Sequence, residues 1–181
     1  HALLIELRRE LEAKGVIFRS QSDTEVILAA WQAWGEEMLL RFNGMWALAI
    51  YDTTTRELFL ARDRFGIKPL LYAATPRRFV FASEQRALLR SGLLAVSLDI
   101  AVARRQMFDA FGIEGSERTL HREIRRLSAG HWLRLREGRV TVRRWWCTID
   151  HLPKIPDTEP DRIARFGELF RDAVALRMRS D

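Results

Sequence analysis

Cysteine occurs once in 181 residues, at Cys147, and a lone thiol can build neither an internal disulfide framework nor a multi-thiolate zinc site. A reduced chain is expected. No apolar run approaches the roughly 18 residues that a membrane-spanning helix needs, and the first residues lack the basic, apolar and small-residue succession of a secretory leader. The expectation is therefore a protein with no membrane partner, located in the cytoplasm. Histidine is sparse, and His1, His121, His131 and His151 lack His, Cys or carboxylate partners at ligand spacing, so no metal site is expected. A glycine-rich phosphate loop is missing as well. There is no internal repeat and no low-complexity tract.

What is present is a chain that is 48% hydrophobic, enough for one domain with a proper core and the edge of a second. The net charge is +6 and the pI near 10.3, which would suit nucleic acid if the cations clustered. They do not: Arg8-Arg9, Arg77-Arg78, Arg104-Arg105, Arg125-Arg126 and Arg143-Arg144 are scattered doublets, and no nucleic-acid partner is expected. Both ends read as cut. Leu3, Leu4, Leu7 and Leu11 recur at helical spacing directly after His1, and Ile163, Phe166, Phe170 and Val174 run toward Asp181 without a stop signal.

The first helix should close at Gly15, with a short strand at residues 16–18. Ser22 and Glu25 are spaced as a capping box for a second helix. Residues 45–51 and 58–61 flank a polar turn and predict a β-hairpin with both strands largely buried. Residues 70–73 and 79–82 predict two further strands, and Ser83 and Glu84 open a short helix. A helix is expected over 98–111 with Asp99 in its first turn, then a hairpin turning at Glu137 and Gly138. The prolines between 151 and 160 mark a strap, and Thr158 with Asp161 starts a last helix. Hairpin-connected strands without crossover helices indicate an α+β fold.

Three places could carry chemistry. Asp23 sits beside a capping pair that already explains the helix start, so its carboxylate could receive an ammonium group; dipole stabilisation is the plainer reading. Arg62-Asp63-Arg64-Phe65-Gly66-Ile67-Lys68-Pro69 is unusually polar between two buried strands, and reads as a tight turn in which Asp63 pairs with a neighbouring Arg and Gly66 takes a positive φ. Cys147 follows Trp145 and Trp146 in an apolar setting and reads as a small hydrophobe, not a nucleophile.

Four ordered motifs carry a resemblance. Ser22-Asp23-Thr24-Glu25-Val26-Ile27, Phe42-Asn43-Gly44-Met45-Trp46-Ala47-Leu48-Ala49-Ile50-Tyr51-Asp52, Ala61-Arg62-Asp63-Arg64-Phe65-Gly66-Ile67-Lys68-Pro69-Leu70 and Phe81-Ala82-Ser83-Glu84 resemble the glutaminase domain of glutamine-hydrolysing asparagine synthetases. The likeness continues through Arg118-Thr119, Ile124-Arg125-Arg126-Leu127 and Gly130-His131-Trp132-Leu133. It departs at residues 120–123, at Ser128-Ala129 and at Trp146-Cys147, which bears on the subfamily.

The resemblance implies an Ntn-hydrolase αββα sandwich of antiparallel sheets, followed by the first helix of an α/β ATP-dependent synthetase domain. Its boundaries would be 1–146 for the glutaminase domain, 147–158 for a linker and 159–181 for the start of the synthetase domain. It implies that an N-terminal cysteine, which would precede His1, attacks glutamine. Ammonia would then travel to aspartate activated by ATP and Mg2+ in the second domain. By the family pattern Asp23 binds the glutamine α-amino group, Met45 lines the ammonia tunnel, and Arg62, Asp63 and Gly66 belong to a scaffold between the domains. Glutamine, aspartate and ATP are the implied partners, and a homodimer is compatible with it. A relative amidating another carboxylate, or a non-catalytic scaffold domain, remain alternatives.

Overall fold

The central hairpin forms where two largely apolar runs flank a polar segment that Asp52 can fold into a turn. In the computed structural model, which describes residues 2–109, 111, 113 and 115–178, β1 (Ala47–Asp52) and β2 (Glu57–Arg62) pair antiparallel with Ala47 opposite Arg62 and Asp52 opposite Glu57. His1 and the expected helix end at 179–181 lie outside the described residues. Asp52 organises the turn, its Oδ1 accepting from the Thr54 and Thr55 N–H groups at 2.8 and 3.1 Å. Those backbone bonds hold the Asp52 carboxyl below its ordinary range. Burial differs from the expectation for β1: β2 is buried from Phe59 to Arg62, whereas β1 alternates, with Leu48 and Ile50 buried and Ala49 and Tyr51 exposed. β1 is an edge strand.

The chain forms two compact units, His1–Gly44 with Thr148–Asp181, and Met45–Cys147. Among the described residues, the second holds every strand. Its larger sheet has the order β1-β2-β6-β7, where β6 is His131–Arg136 and β7 is Arg139–Arg144. Glu137 and Gly138 both take positive φ, 51° and 74°, the requirement of a two-residue type I′ turn. The smaller sheet has the order β4-β3-β5, with β3 Leu71–Ala74, β4 Phe79–Ala82 and β5 Arg125–Arg126.

Alternation along β3 decides the layering. Tyr72 joins Leu60, Leu70, Leu127 and Leu133 in a core shared by the two sheets. Leu71 and Ala73 point the other way, into a cluster with Ile124 and with Leu88 of the helix α4 (Gln85–Arg90). Leu60 and Leu133 are fully buried, so truncating either to alanine would cost about 2–5 kcal/mol.

The other unit is helical: α1 (Ala2–Ala13), α2 (Asp23–Trp34), a short α3 (Met38–Arg41) and the long α6 (Glu159–Met178). The expected strand at 16–18 does not form. Gly15 takes φ +90°, its N–H bonds Glu12 O, and the Val16 N–H returns to Leu11 O at 3.0 Å. That is the Schellman pattern, and it consumes the donor that a strand would have offered. The helix over 98–111 is also shorter than expected: α5 spans Ile100–Phe108, Asp99 caps it through Val102 N, and Leu98 bridges to His121. Among the described residues, no helix is long and apolar enough to cross a membrane.

Candidate functional site

Asp23 opens α2. Ser22 is the N-cap and accepts from the Thr24 N–H at 3.2 Å. Glu25 does not close the capping box onto Ser22. It reaches further back, accepting from the Arg19 and Ser20 N–H groups at 2.8 Å each and from the Ser20 hydroxyl at 2.7 Å. The Ser20 hydroxyl bond, followed by the Arg19 N–H, depresses the Glu25 carboxyl below its ordinary range. Two side chains thus tie the 19–22 loop to the helix start, and Asp23, half-buried, occupies the first helical position.

Met45 begins the other unit and is 47% exposed. Asp23 and Met45 therefore fall in different units, while Arg62, Asp63 and Gly66 are brought together within one.

These three residues form a buried hub at one corner of the sheets. Asp63 is fully buried. Its carboxylate accepts from the backbone N–H groups of Phe65 (3.1 Å), Ile67 (3.0 Å), Lys68 (3.0 Å) and Trp46 (3.3 Å). The expected pairing with a neighbouring Arg gives way to this arrangement: the loop curls so that successive N–H groups converge on the carboxylate, and among the described residues no cation is in contact with it. Gly66 takes the expected positive φ, +66°.

Arg62 turns the other way and donates to carbonyls: Nε to Lys68 O and Nη1 to Leu127 O, both at 2.7 Å, and Nη2 to Gly66 O. Burial, and then the charge of Arg126, lower the Arg62 pKa from the usual guanidinium value, and Asp63 opposes them. Gly66 is required here for space as well as φ, since a Cβ would lie 3.0 Å from Arg62 Cζ and 3.1 Å from Ala129 Cβ.

The backbone extends the hub. The Asp63 N–H bonds Trp46 O, the Gly130 N–H bonds Asp63 O, and the Trp145 and Trp146 N–H groups bond Gly130 O. Trp46 stacks on Trp145 at 5.8 Å, and the Arg64 guanidinium lies 4.0 Å from the centre of the Trp146 ring. The start of β1, the ends of β2 and β7, and the segments before β3 and β6 are all fastened at one point. Sequence reasoning missed Trp46, Leu127 and Gly130 as partners. Gly130 is confined to glycine by the structure, with φ +63° and a Cβ that would meet Trp146 O at 2.7 Å. Cys147 is half-buried directly after this cluster. Among the described residues no group of three His, Cys, Asp or Glu side chains could hold a metal ion.

Residues 4–146 match the family model of the glutamine amidotransferase domain. The chain belongs to the glutamine amidotransferase family. A Mycobacterium tuberculosis protein, provisionally named a glutamine-hydrolysing asparagine synthetase, is 38% identical over 98% of this chain and 28% of its own length. A glutamine-hydrolysing asparagine synthetase of Bacillus subtilis is 33% identical over 97% of this chain and 28% of its own. The chain thus spans a little over a quarter of the length of these relatives. Among solved structures, the glutamine phosphoribosylpyrophosphate amidotransferase of Bacillus subtilis, complexed with ADP and GMP, aligns with a TM-score of 0.53 and 22% identity. The alignment covers 80% of this chain and 27% of that one. The allosteric regulatory enzyme of purine biosynthesis aligns with a TM-score of 0.56 at 22% identity, covering 80% and 26%. The chain accordingly shares the α+β fold of these two solved structures.

Proposed function

We propose that this chain is the ammonia-releasing part of an asparagine synthase: glutamine is hydrolysed to glutamate and ammonia, and the ammonia reaches an ATP-activated aspartate to give asparagine, AMP and pyrophosphate. The observation that carries the reading is the match of residues 4–146 to the glutamine amidotransferase domain, extended over nearly the whole chain by relatives named asparagine synthetases. In this reading the domain boundaries are 1–146, 147–158 and 159–181.

Asp23 holds the glutamine α-amino group, which suits a carboxylate on a helix turn whose loop is already tied down by Ser22 and Glu25. Met45 borders the ammonia path, where an unbranched apolar side chain excludes water. Arg62, Asp63 and Gly66 are scaffold that fixes the corner carrying Met45 and Trp46. Cys147 is a packing residue, and the attacking thiol is the N-terminal cysteine that the family resemblance calls for, outside these 181 residues. ATP and Mg2+ act in the remaining part of the parent. The apolar stripe Ile163, Phe166, Phe170 and Val174, exposed along α6, is the face on which that part packs. The enzyme works in the cytoplasm, and a homodimer is compatible with it.

The test is glutamate release by the full-length protein. Asp23→Asn should raise KM for glutamine about tenfold or more, the scale of a lost charge-assisted bond, with kcat little changed. Unchanged KM removes Asp23 from the site. No glutamate release by the wild type favours a scaffold domain. Release of glutamate coupled to consumption of a carboxylate other than aspartate favours the alternative acceptor.

A further inference from the structure

Away from the hub, the segment between α5 and β5 builds a second feature. A surface cleft of about 440 Å3, within the range of small-ligand pockets, is lined by Arg118, Arg122, Arg125 and His121 together with Asp99 and Glu117. The two carboxylates are already matched. Asp99 takes Arg118 Nη2 at 2.6 Å and caps α5 through Val102 N, and Glu117 lies 3.7 Å from Arg125. Arg122 acts on Asp99 and Glu123 only through its charge, and among the described residues it forms no ion pair within 4 Å. Of the three guanidiniums that line the cleft, Arg122 alone has no carboxylate in contact among the described residues.

The walls are held in place before any ligand arrives. Thr119 is buried, and its hydroxyl bonds the carbonyls of His121 and Ile124 and accepts the His121 N–H. Glu123 takes the N–H and hydroxyl of Ser97, the Arg122 N–H bonds Ser97 O, and the Asp99 N–H bonds Leu120 O. The Gln85 amide nitrogen contacts His121 Nδ1. Arg118 is steered by Asp99, and Arg125 by Glu117 and a bond to the Tyr72 side chain. For Arg118 and Arg125 part of the side-chain ordering that binding costs is already met by these contacts.

We infer that this cleft binds a small phosphate-bearing anion, inorganic phosphate or a phosphate monoester, through Arg118, His121, Arg122 and Arg125. Guanidinium forks match carboxylate and phosphate alike. Three of them with an imidazole N–H offer more donors than the two oxygens of one planar carboxylate can take, whereas the oxygens of a tetrahedral phosphate can accept from several sides. An occupant would join the cap of α5 to β5, so binding should hold Asp99 and residues 116–125 together.

The experiment is calorimetric titration of the full-length protein with inorganic phosphate at constant ionic strength, repeated with Arg122→Glu, Arg122→Gln and Arg136→Glu. Arg122 is exposed and Arg136 lies on the β6–β7 hairpin, outside the cleft. Expected is a saturable phosphate isotherm whose affinity falls about tenfold or more in Arg122→Glu, the scale of a lost charge-assisted bond, less in Arg122→Gln, and not at all in Arg136→Glu. Succinate should bind more weakly than phosphate. An isotherm identical in wild type and Arg122→Glu overturns the site, as does equal weakening by Arg136→Glu, which would mark a general charge effect. Succinate binding as tightly as phosphate overturns the ligand class.

Discussion

Replacing Asp63 with alanine removes the acceptor for four backbone N–H groups at once, those of Trp46, Phe65, Ile67 and Lys68. A buried donor left unpaired costs about 1–3 kcal/mol. Phe65, Ile67 and Lys68 are exposed residues whose N–H groups can recover some water, so the lower end applies, and the whole change should destabilise the protein by about 3–4 kcal/mol. Set against a typical stability of about 5–15 kcal/mol, that is a large share. Asp63→Asn keeps the shape but not the chemistry. Oδ1 serves Phe65 and Ile67 while Oδ2 serves Trp46 and Lys68, so an amide can satisfy one pair and must present its NH2 to the other. The asparagine variant should still lose about 2 kcal/mol. Urea unfolding followed by tryptophan fluorescence, with Trp46 at the hub, reads both. A loss below about 1 kcal/mol for alanine, or an asparagine variant equal to wild type, would refute the view that this carboxylate organises the corner.

Gly66→Ala should cost about 1 kcal/mol for the left-handed backbone alone and more for displacing Arg62; Gly138→Ala, at φ +74° with nothing within 4 Å of the added Cβ, should show only the first part. Equal losses in the two variants, measured by urea titration, would remove the Arg62 contact from the explanation. Asp99 is depressed below its ordinary 3.8, first by the Arg118 bond. A lowered folded pKa gives stability that is present above the unfolded value and lost as pH falls through the folded one. Arg118→Ala should therefore lower Tm at neutral pH and flatten the fall in Tm below pH 3.8; parallel wild-type and variant curves would refute this. Cys147→Ala should leave glutamate release by the full-length protein unchanged, and loss of that activity would return Cys147 to the chemistry.

Most of the fold was legible because local signals agreed with burial. Glu137-Gly138 demanded a tight turn and took both positive φ values, and residues 79–82 formed β4 with the expected bounds. The failures share a cause. Residues 16–18 look extended in isolation, but Gly15 closes α1 through Val16, and Ile17 is left 87% exposed, paired with no strand among the described residues. β5 is two arginines long and exists because Leu71 and Tyr72, far back in the sequence, present a free edge to Arg126 and Arg125. Leu98 left the α5 pattern for a similar reason, pairing with His121 across the chain.

The hub was legible in composition but not in wiring, and the difference is physical. A run such as Arg62 to Pro69 announces that charge sits between strands, and the nearest opposite charge is then the simplest partner to assign. A fully buried carboxylate needs several donors, while a single guanidinium would need its own remaining N–H groups satisfied in the same confined volume. The chain resolves this by separating the two: Asp63 collects four amides, and Arg62 spends its donors on three carbonyls, one of them at Leu127, 65 residues away. Each group is satisfied by backbone, so the geometry depends on the loop path more than on other side chains. Gly66 makes that path possible, with a positive φ and no Cβ to press on Arg62. Substitution of any one of Arg62, Asp63 or Gly66 should therefore disturb the partners of the other two, and their effects on stability should fall short of adding when combined. Double-variant unfolding measurements on Asp63→Asn with Gly66→Ala check this: simple additivity would mean the two halves of the hub are independent, contrary to the shared loop that both depend on.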